Sequence, residues 1–578
     1  MSLRLLFSLV SLGCCLFSTA SCSPPPPATP AAKSGEAAQR YVPLLKDPDA
    51  LVRKRAAVAL KRMGAKAKSA VPALEEALAD TDAEVRAAVA AALEAIDPTT
   101  HRAEEKPVSP PATKPKAPEE PAKSPPPPRG SKPGEVGSYF LGPRSSPSIL
   151  MQRKNDRDTW HRLKANDRVS ANDRLVSLPG YASEVHLDSG VHLLLRGHVR
   201  EFSLFSDMDY LQESAIVLHK NKDVHADLTL QTGRLYLSNH KKDGPAVVRL
   251  RFEKEAWDVT LNEPDTEVVV DLLKRYSGNV DYMKGEAPVV TLHLFVLKGK
   301  AGLAAEHQHY LDLSAPPGAA YFVWDNKRGG LRGPFKQAQA PAFFAKVLPV
   351  DPKKQPGAEK MEQALKSISQ RMLPSTDPTT ALKEVMQKND FMQHQLAIYC
   401  LGALDEMDEL LEVLGDTDPV HAPDRDTAIF TLRRWLGRDA GNGPKLFDLK
   451  TSKPGPLLSR QKYTHSEAER IFVLLHDFSE DEILAVETYE QLARDLVSNK
   501  VAIAELARWH LYRLGRLQSV SLPSLEPNKF NAAFPRDLRA AAFQEVRAKI
   551  DKGELPVRTP LDKPNESTRR NQPLPGKR

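Results

Sequence analysis

The sequence predicts a multidomain chain combining α and β structure: a short α-α solenoid, a disordered proline-rich linker, an antiparallel β-rich domain and a C-terminal helical domain. Three observations predict it. DALVRKRAAVALKRMG at 49–64 returns 33 residues later as DAEVRAAVAAALEAID at 82–97. Prolines crowd the stretch between 99 and 135. Apolar spacing then alternates from about residue 136 and turns helical again after about 357.

The chain begins with a targeting pattern. Arg4 precedes an apolar run from Leu5 to Phe17, and small residues follow up to Ser21. The run is too short to span a bilayer, so residues 1–21 are expected to be an export signal. Cys22 and the prolines Pro24 to Pro27 come next and open a disordered spacer over 22–39. A cysteine at the end of an export signal, ahead of such a spacer, resembles a bacterial lipoprotein processing site, although Thr19 stands where that family usually has Leu. The resemblance implies lipid attachment at Cys22 and a membrane-anchored protein of the cell envelope or periplasm. Cys14 and Cys15 leave with the signal, and Cys400 lies in the apolar stretch QLAIYCLGAL. The mature chain therefore has no evident disulfide pair, and its cores must hold it together.

With 578 residues the chain is too long for one core, and length alone suggests roughly three or four domains. Its 41% hydrophobic and 27% charged residues are ordinary for a soluble protein. A net charge of +7 is small against 81 basic and 74 acidic side chains, so no nucleic-acid partner is expected.

The repeat pair occupies 40–98. At an offset of 33 the identities are Asp47/Asp80, Asp49/Asp82, Val52/Val85, Arg53/Arg86, Ala57/Ala90, Ala59/Ala92 and Leu60/Leu93. Asp49 and Asp82 stand where a side-chain oxygen can cap the second helix of each unit. Ala and Leu form the inner stripe, and Arg53 and Arg86 can each reach the acidic turn of a neighbouring unit. The pattern resembles HEAT repeats of the short kind also seen in phycobilisome-lyase-type proteins. The resemblance implies a protein-binding solenoid surface that includes Asp49, Val52, Arg53, Asp82, Val85 and Arg86. Lyase chemistry does not follow, because these positions are structural.

Residues 99–135 hold eleven prolines among Lys, Glu and Ser. Such a linker behaves as a polyproline spacer of about 3 Å per residue, reaching up to roughly 100 Å.

Over 136–346, segments such as AVVRLRF, EVVVDLL and VVTLHLFVL alternate apolar with polar between Gly, Asn, Asp and Pro. This is the pattern of a half-buried antiparallel sheet or sandwich. Asp173 to Gly197, DRLVSLPGYASEVHLDSGVHLLLRG, resembles the periplasmic domain of FecR-type proteins, with its strand–turn–strand L-x-L-x-D-G-x-x-L-x-L. Val185, Leu187, Asp188, Gly190, Leu193 and Leu195 match, and Ser189 is inserted before the glycine. Trp160 and Val169 fit the upstream strand and Gly233-Arg234-Leu235-Tyr236 the following element. Val247 to Phe252 and Trp257 to Val270 fit the closing strands, with Glu267 departing from the family pattern. The likeness covers about 150–300. It implies a β-rich envelope domain binding protein or glycan. The transmembrane helix and sigma-factor-binding segment of FecR-type transducers have no counterpart before it, so direct signalling is not expected.

After a joint at Asp351 to Pro356, helical periodicity fills 357–520. DRDTAIFTLRRWLG and SNKVAIAELARWHLYRLG place Ala428, Leu432 and Leu436, then Ala502, Leu506, Trp509 or His510 and Leu514, as degenerate HEAT-type units would. Residues 521–578 are proline-rich toward their end and are expected to be mostly a disordered tail.

Few residue patterns point to chemistry. On a strand, His307 and His309 of Glu306-His307-Gln308-His309 would share a face, but no third ligand lies nearby, so a solvated loop or strand edge is expected. Asp207-Met208-Asp209 lacks the glycine and distant glutamate of a calcium loop and reads as a turn. His465-Ser466-Glu467 reads as a helix start, and Trp324 and Trp509 read as core. No nucleophile elbow, phosphate-binding loop, dinucleotide fingerprint or His-Glu-x-x-His is present. The expectation is a non-catalytic envelope scaffold with no catalytic residue, cofactor or metal. Its partners would be envelope proteins or cell-wall glycan. The alternatives are an envelope sensor of the FecR type or a glycan-active enzyme whose site is built from distant residues.

Overall fold

The fold is taken from a computed structural model. It describes residues 42–46, 53–96 with short breaks, 134–141, 147–197 with a break at 156–157 and 213–305 with a break at 279. It also describes 311–344 with a break at 328–329, and 358–556 with breaks at 375 and 388–389. The expected export signal, the spacer with Cys22, most of the proline-rich linker, the 351–356 joint, Asp207–Asp209 and Glu306–His309 lie outside the described residues. The chain divides into two compact units, 1–117 and 118–578.

The first unit is helical. A 3-10 turn at Pro43–Lys46 is followed by helical residues among 53–61, a 3-10 stretch at Gly64–Ala70, and the helices Val71–Ala77 and Ala83–Ile96. Ala56, Ala57, Leu60, Leu74, Val85, Val89, Ala92 and Leu93 close its core. Alanine at the contact lets helix axes approach closely.

The second unit joins the β-rich and helical regions. Its strands pair into two layers. The first runs, neighbour to neighbour, Arg168–Ser170, Glu135–Leu141, Ala182–Leu187, Val191–Arg196 and the C-terminal half of Ala226–Asn239. It continues through Glu267–Arg275, Val289–Lys298, Gly318–Asp325 and Gly330–Gln337. The second layer runs His161–Arg162, Leu150–Arg153, Arg174–Ser177, Ser214–Leu218 and the N-terminal half of Ala226–Asn239. It continues through Ala246–Phe252, Glu255–Leu261, Lys300–Ala305 and Leu311–Ser314. Among these pairings only that of Ala246–Phe252 with Ala226–Asn239 is parallel.

The long strand Ala226–Asn239 belongs to both layers, and Gly233 is its pivot. Its φ is +94°, and a Cβ there would lie 2.2 Å from the Glu213 carbonyl oxygen. Glycine is the residue that tolerates this conformation and approach. Between the layers lies one apolar core that includes Leu175, Val185, Leu193, Leu235, Leu250, Trp257, Val270, Leu294 and Phe322. Alternation places their neighbours on the outer faces. Trp257 to Val270, read as strand, breaks at Asn262–Thr266 into the strands Glu255–Leu261 and Glu267–Arg275.

The C-terminal helical domain and the sandwich lie in one compact unit and share a core. The outer face of the second layer presents Ile149, Met151, Trp160, Val176, Tyr181 and Ala215, and these share one core with the helices. Trp160 Nε1 donates to the Leu404 carbonyl at 2.8 Å, and the Tyr181 hydroxyl donates to that of Leu365 at 2.8 Å. Each large apolar side chain so covered contributes about 1.5–3 kcal/mol. Buried Glu213 meets Arg438 at 3.3 Å and Arg434 at 3.6 Å, and Asp405 meets Arg174 at 2.9 Å and Arg438 at 2.8 Å.

The helices themselves follow the expected stripes. Ala428, Leu432, Leu436, Ala502, Leu506, His510 and Leu514 are buried. Of the pair Trp509 or His510, the inner position falls to His510. Within the expected tail, 521–556 is described and carries the helix Arg536–Asp551, whose Ala542, Val546 and Ile550 enter the shared core. Residues 557–578 lie outside the described residues.

Candidate functional site

The repeat pair holds the residues expected at the interaction surface. Asp82 caps the helix Ala83–Ile96: its Oδ1 accepts the Val85 N–H at 3.0 Å. Asp80 ties the units together. Its carboxylate accepts from Arg53 Nε at 2.6 Å and Nη2 at 2.9 Å, a bidentate pair whose side chains are only 13% and 7% exposed. The hydrogen bond from Arg53 holds the Asp80 carboxyl below its ordinary range. This is the inter-unit reach expected of Arg53. Arg86, its repeat counterpart, has Thr113 where Arg53 has Asp80, and its Nη1 donates to the Asp80 carbonyl at 2.7 Å.

The described residues of the expected surface are placed as follows. Val85 is fully buried in the core, and Arg53 and Asp82 are engaged in contacts within the unit. Asp49 and Val52 lie outside the described residues. The outward face of the second unit is formed by Ala90, Glu94 and Ala95, all exposed. Equivalent positions of the two copies differ in cover. Ala57 is 0% exposed, yet Ala90, its repeat partner, is exposed. Ala57 belongs to the core of the unit, and among the described residues Ala90 is left on its surface. A concavity of about 370 Å³ opens beside the Arg53–Asp80 pair, floored by Leu45, Ala73 and Ala77 and crossed by Lys46–Glu76 at 2.9 Å.

A second cluster escaped the sequence reading. On the outer face of the first layer, Glu184, His186 and His192 bring their ligand atoms within 4.8 Å of one another. The signal was present in HLDSGVH: a three-residue turn makes His186 and His192 direct cross-strand partners. Strand alternation then adds Glu184 to the same face.

Other candidates resolve as structure. Trp324 lies in the sandwich core, edge-on to Phe252 at 5.1 Å. Trp509 is half-buried between the Arg433 and Arg513 guanidiniums at 4.4 and 4.8 Å. His465 opens the helix His465–Leu474, where Thr464 and Glu467 form a capping box. Cys400 is buried, and burial pushes its thiol up. In the helical region Arg425 is buried against Glu505 at 3.2 Å and Asn531 at 2.6 Å, with Arg508 completing the network. Packed and satisfied, this network fixes helices against one another.

Compared with known protein families, residues 32–104 match HEAT repeats. No curated protein and no solved structure matches the chain. Among the described residues, no helix is long and apolar enough to cross a membrane.

Proposed function

We propose that this chain is a non-catalytic binding and scaffold protein of a bacterial envelope, exported and held to a membrane by lipid on Cys22. HEAT repeats bind other proteins along stacked helices, and about three units normally complete a stack. The observation that carries the reading is the inequality of Ala57 and Ala90, which leaves the second unit with an exposed small-residue face where a further layer would stack. An envelope protein is the occupant this reading expects there. Export and anchoring rest on the apolar run Leu5 to Phe17 and on Cys22 behind it.

The test is capture of partners from envelopes by the wild-type chain, by Ala90→Glu and by Cys22→Ala. Ala90→Glu should keep its thermal midpoint and lose the partners, and Cys22→Ala should move to the soluble fraction. Unchanged capture by Ala90→Glu would remove the open face as the binding surface. Continued membrane retention of Cys22→Ala would remove the anchor.

A second reading, an envelope sensor of the FecR type, is favoured by the hairpin Ala182–Leu187/Val191–Arg196 and by Gly233 at the layer crossing. It predicts that deleting the gene alters transcription of a defined set of genes.

A further inference from the structure

We propose that Glu184, His186 and His192 form an open binding site for a divalent transition-metal ion of the zinc class, with His240 beside it. The placement begins with alternation. Val185, Leu187, Leu193 and Leu195 face the sandwich core, so Glu184, His186 and His192 project from the opposite face. The turn between the strands uses Gly190 at φ +87°, and the register sets His186 directly against His192.

The donors are already gathered. His186 Nε2 lies 2.9 Å and His192 Nδ1 3.7 Å from the same oxygen, Oε1 of Glu184. Zinc takes imidazole nitrogen and carboxylate oxygen at about 2.0–2.2 Å in tetrahedral sites, which places ligand atoms roughly 3.4 Å apart. The two measured separations bracket that value. Two nitrogens and one oxygen are a ligand set suited to zinc, copper or nickel and poorly suited to magnesium or calcium.

The surroundings keep the donors together and reachable, and the near-parallel rings need turn only about their side-chain torsions to aim at one ion. The His186 and His192 rings stack at 3.6 Å, His192 and His240 at 3.9 Å, and Phe140 covers the far side of His186 at 4.6 Å. The three side chains are 26%, 28% and 22% exposed, so an ion would keep a coordination position facing solvent. Burial would raise the Glu184 carboxyl, but hydrogen bonds from His186 and His192 outweigh it and hold it down to about 2. His240 stacks on the outer side of His192, next to the three donors.

The test is Zn²⁺ binding to the full chain, measured by competition with a chromophoric chelator and by calorimetry, with Cu²⁺, Ni²⁺ and Mg²⁺ alongside. We expect one saturable Zn²⁺ site of micromolar or tighter affinity, Cu²⁺ tighter still and Mg²⁺ without effect. Affinity should fall as pH is lowered, because imidazole must lose its proton to bind. His186→Asn and His192→Asn should each weaken Zn²⁺ at least tenfold, Glu184→Gln about as much, and His240→Asn by a few-fold. His307→Asn with His309→Asn should leave that site intact. Absence of saturable binding, or Zn²⁺ affinity unchanged in the His186→Asn/His192→Asn double variant, would overturn the site. Should the double variant fail to fold, X-ray absorption on the wild-type Cu²⁺ or Zn²⁺ complex decides: imidazole ligands with an oxygen support the site, and a shell without imidazole overturns it.

Discussion

Arg53 and Arg86 are the same residue at the same repeat position, yet Arg53 grips the Asp80 carboxylate and Arg86 the Asp80 carbonyl. Asp80→Asn should therefore weaken the join between the two units. The loss should be about 1–3 kcal/mol, typical for a partly buried, charge-assisted hydrogen-bond pair, measured by urea unfolding of the repeat unit. Alanines at equivalent positions separate in the same way. Ala57→Glu places an unpaired charge in the core of the unit and should cost several kcal/mol. Ala90→Glu should stay within about 0.5 kcal/mol of wild type. Comparable destabilisation by both, read as thermal midpoints, would contradict the one-sided cover of the stack. The sequence pointed to the inner stripe and the cap at Asp82. It did not distinguish Ala57 from Ala90, because a repeat pattern is blind to which copy is last.

At the scale of elements, the helix His465–Leu474 and the turn after it meet the segment that carries Tyr276 and Tyr282. His476 makes one of the contacts. Its ring stacks on Tyr282 at 3.8 Å, and its Nδ1–H donates to the Phe472 carbonyl at 2.8 Å. Burial, aided by the Arg433 charge, holds this imidazole down to about 4, while the Phe472 bond opposes the shift only in part. The native state thus keeps His476 neutral while the unfolded chain takes up a proton near pH 6.5. The contribution is fully present above about pH 6.5 and is lost as pH falls toward 4, amounting to roughly 3 kcal/mol. His510, also buried and depressed, adds to the same window. Urea midpoints at pH 7.5 and 4.5 should show the loss, and His476→Gln should flatten it without abolishing it. A His476→Gln variant as acid-sensitive as wild type would rule this histidine out as the source. Hairpins were the elements most legible in the sequence: VHLDSGVH carries the turn and both strands. Gly233 belongs to a motif legible in the sequence, but its role as the crossing between layers depends on strands far away along the chain.

For the molecule as a whole, the sandwich and the helices of 358–556 should unfold together. Their shared core and the Glu213, Arg434 and Arg438 contacts leave no boundary at the joint. Tryptophan fluorescence and far-UV ellipticity should give coincident transitions over this part of the chain. Glu213→Gln, which takes the carboxylate from Arg434 and leaves Arg438 with Asp405, should lower stability by about 3–5 kcal/mol and move both signals together. Separate transitions would show two independent domains. Residues 136–346 expressed alone should bind a hydrophobic dye strongly, because Trp160, Val176 and Tyr181 lose their cover.

The sequence by itself determined the repeat, its cap, the alternation of the β region and the helical stripes. Each of these is a local period that one segment imposes on its own backbone. Only the tertiary structure decided that the outer face of one sheet layer is covered by helices, that residues 521–556 join the core of those helices, and that Glu184, His186 and His192 converge. Those outcomes depend on which apolar faces meet and in what register, and residues such as Trp160 and Leu404, 244 positions apart, carry no mutual signal along the chain.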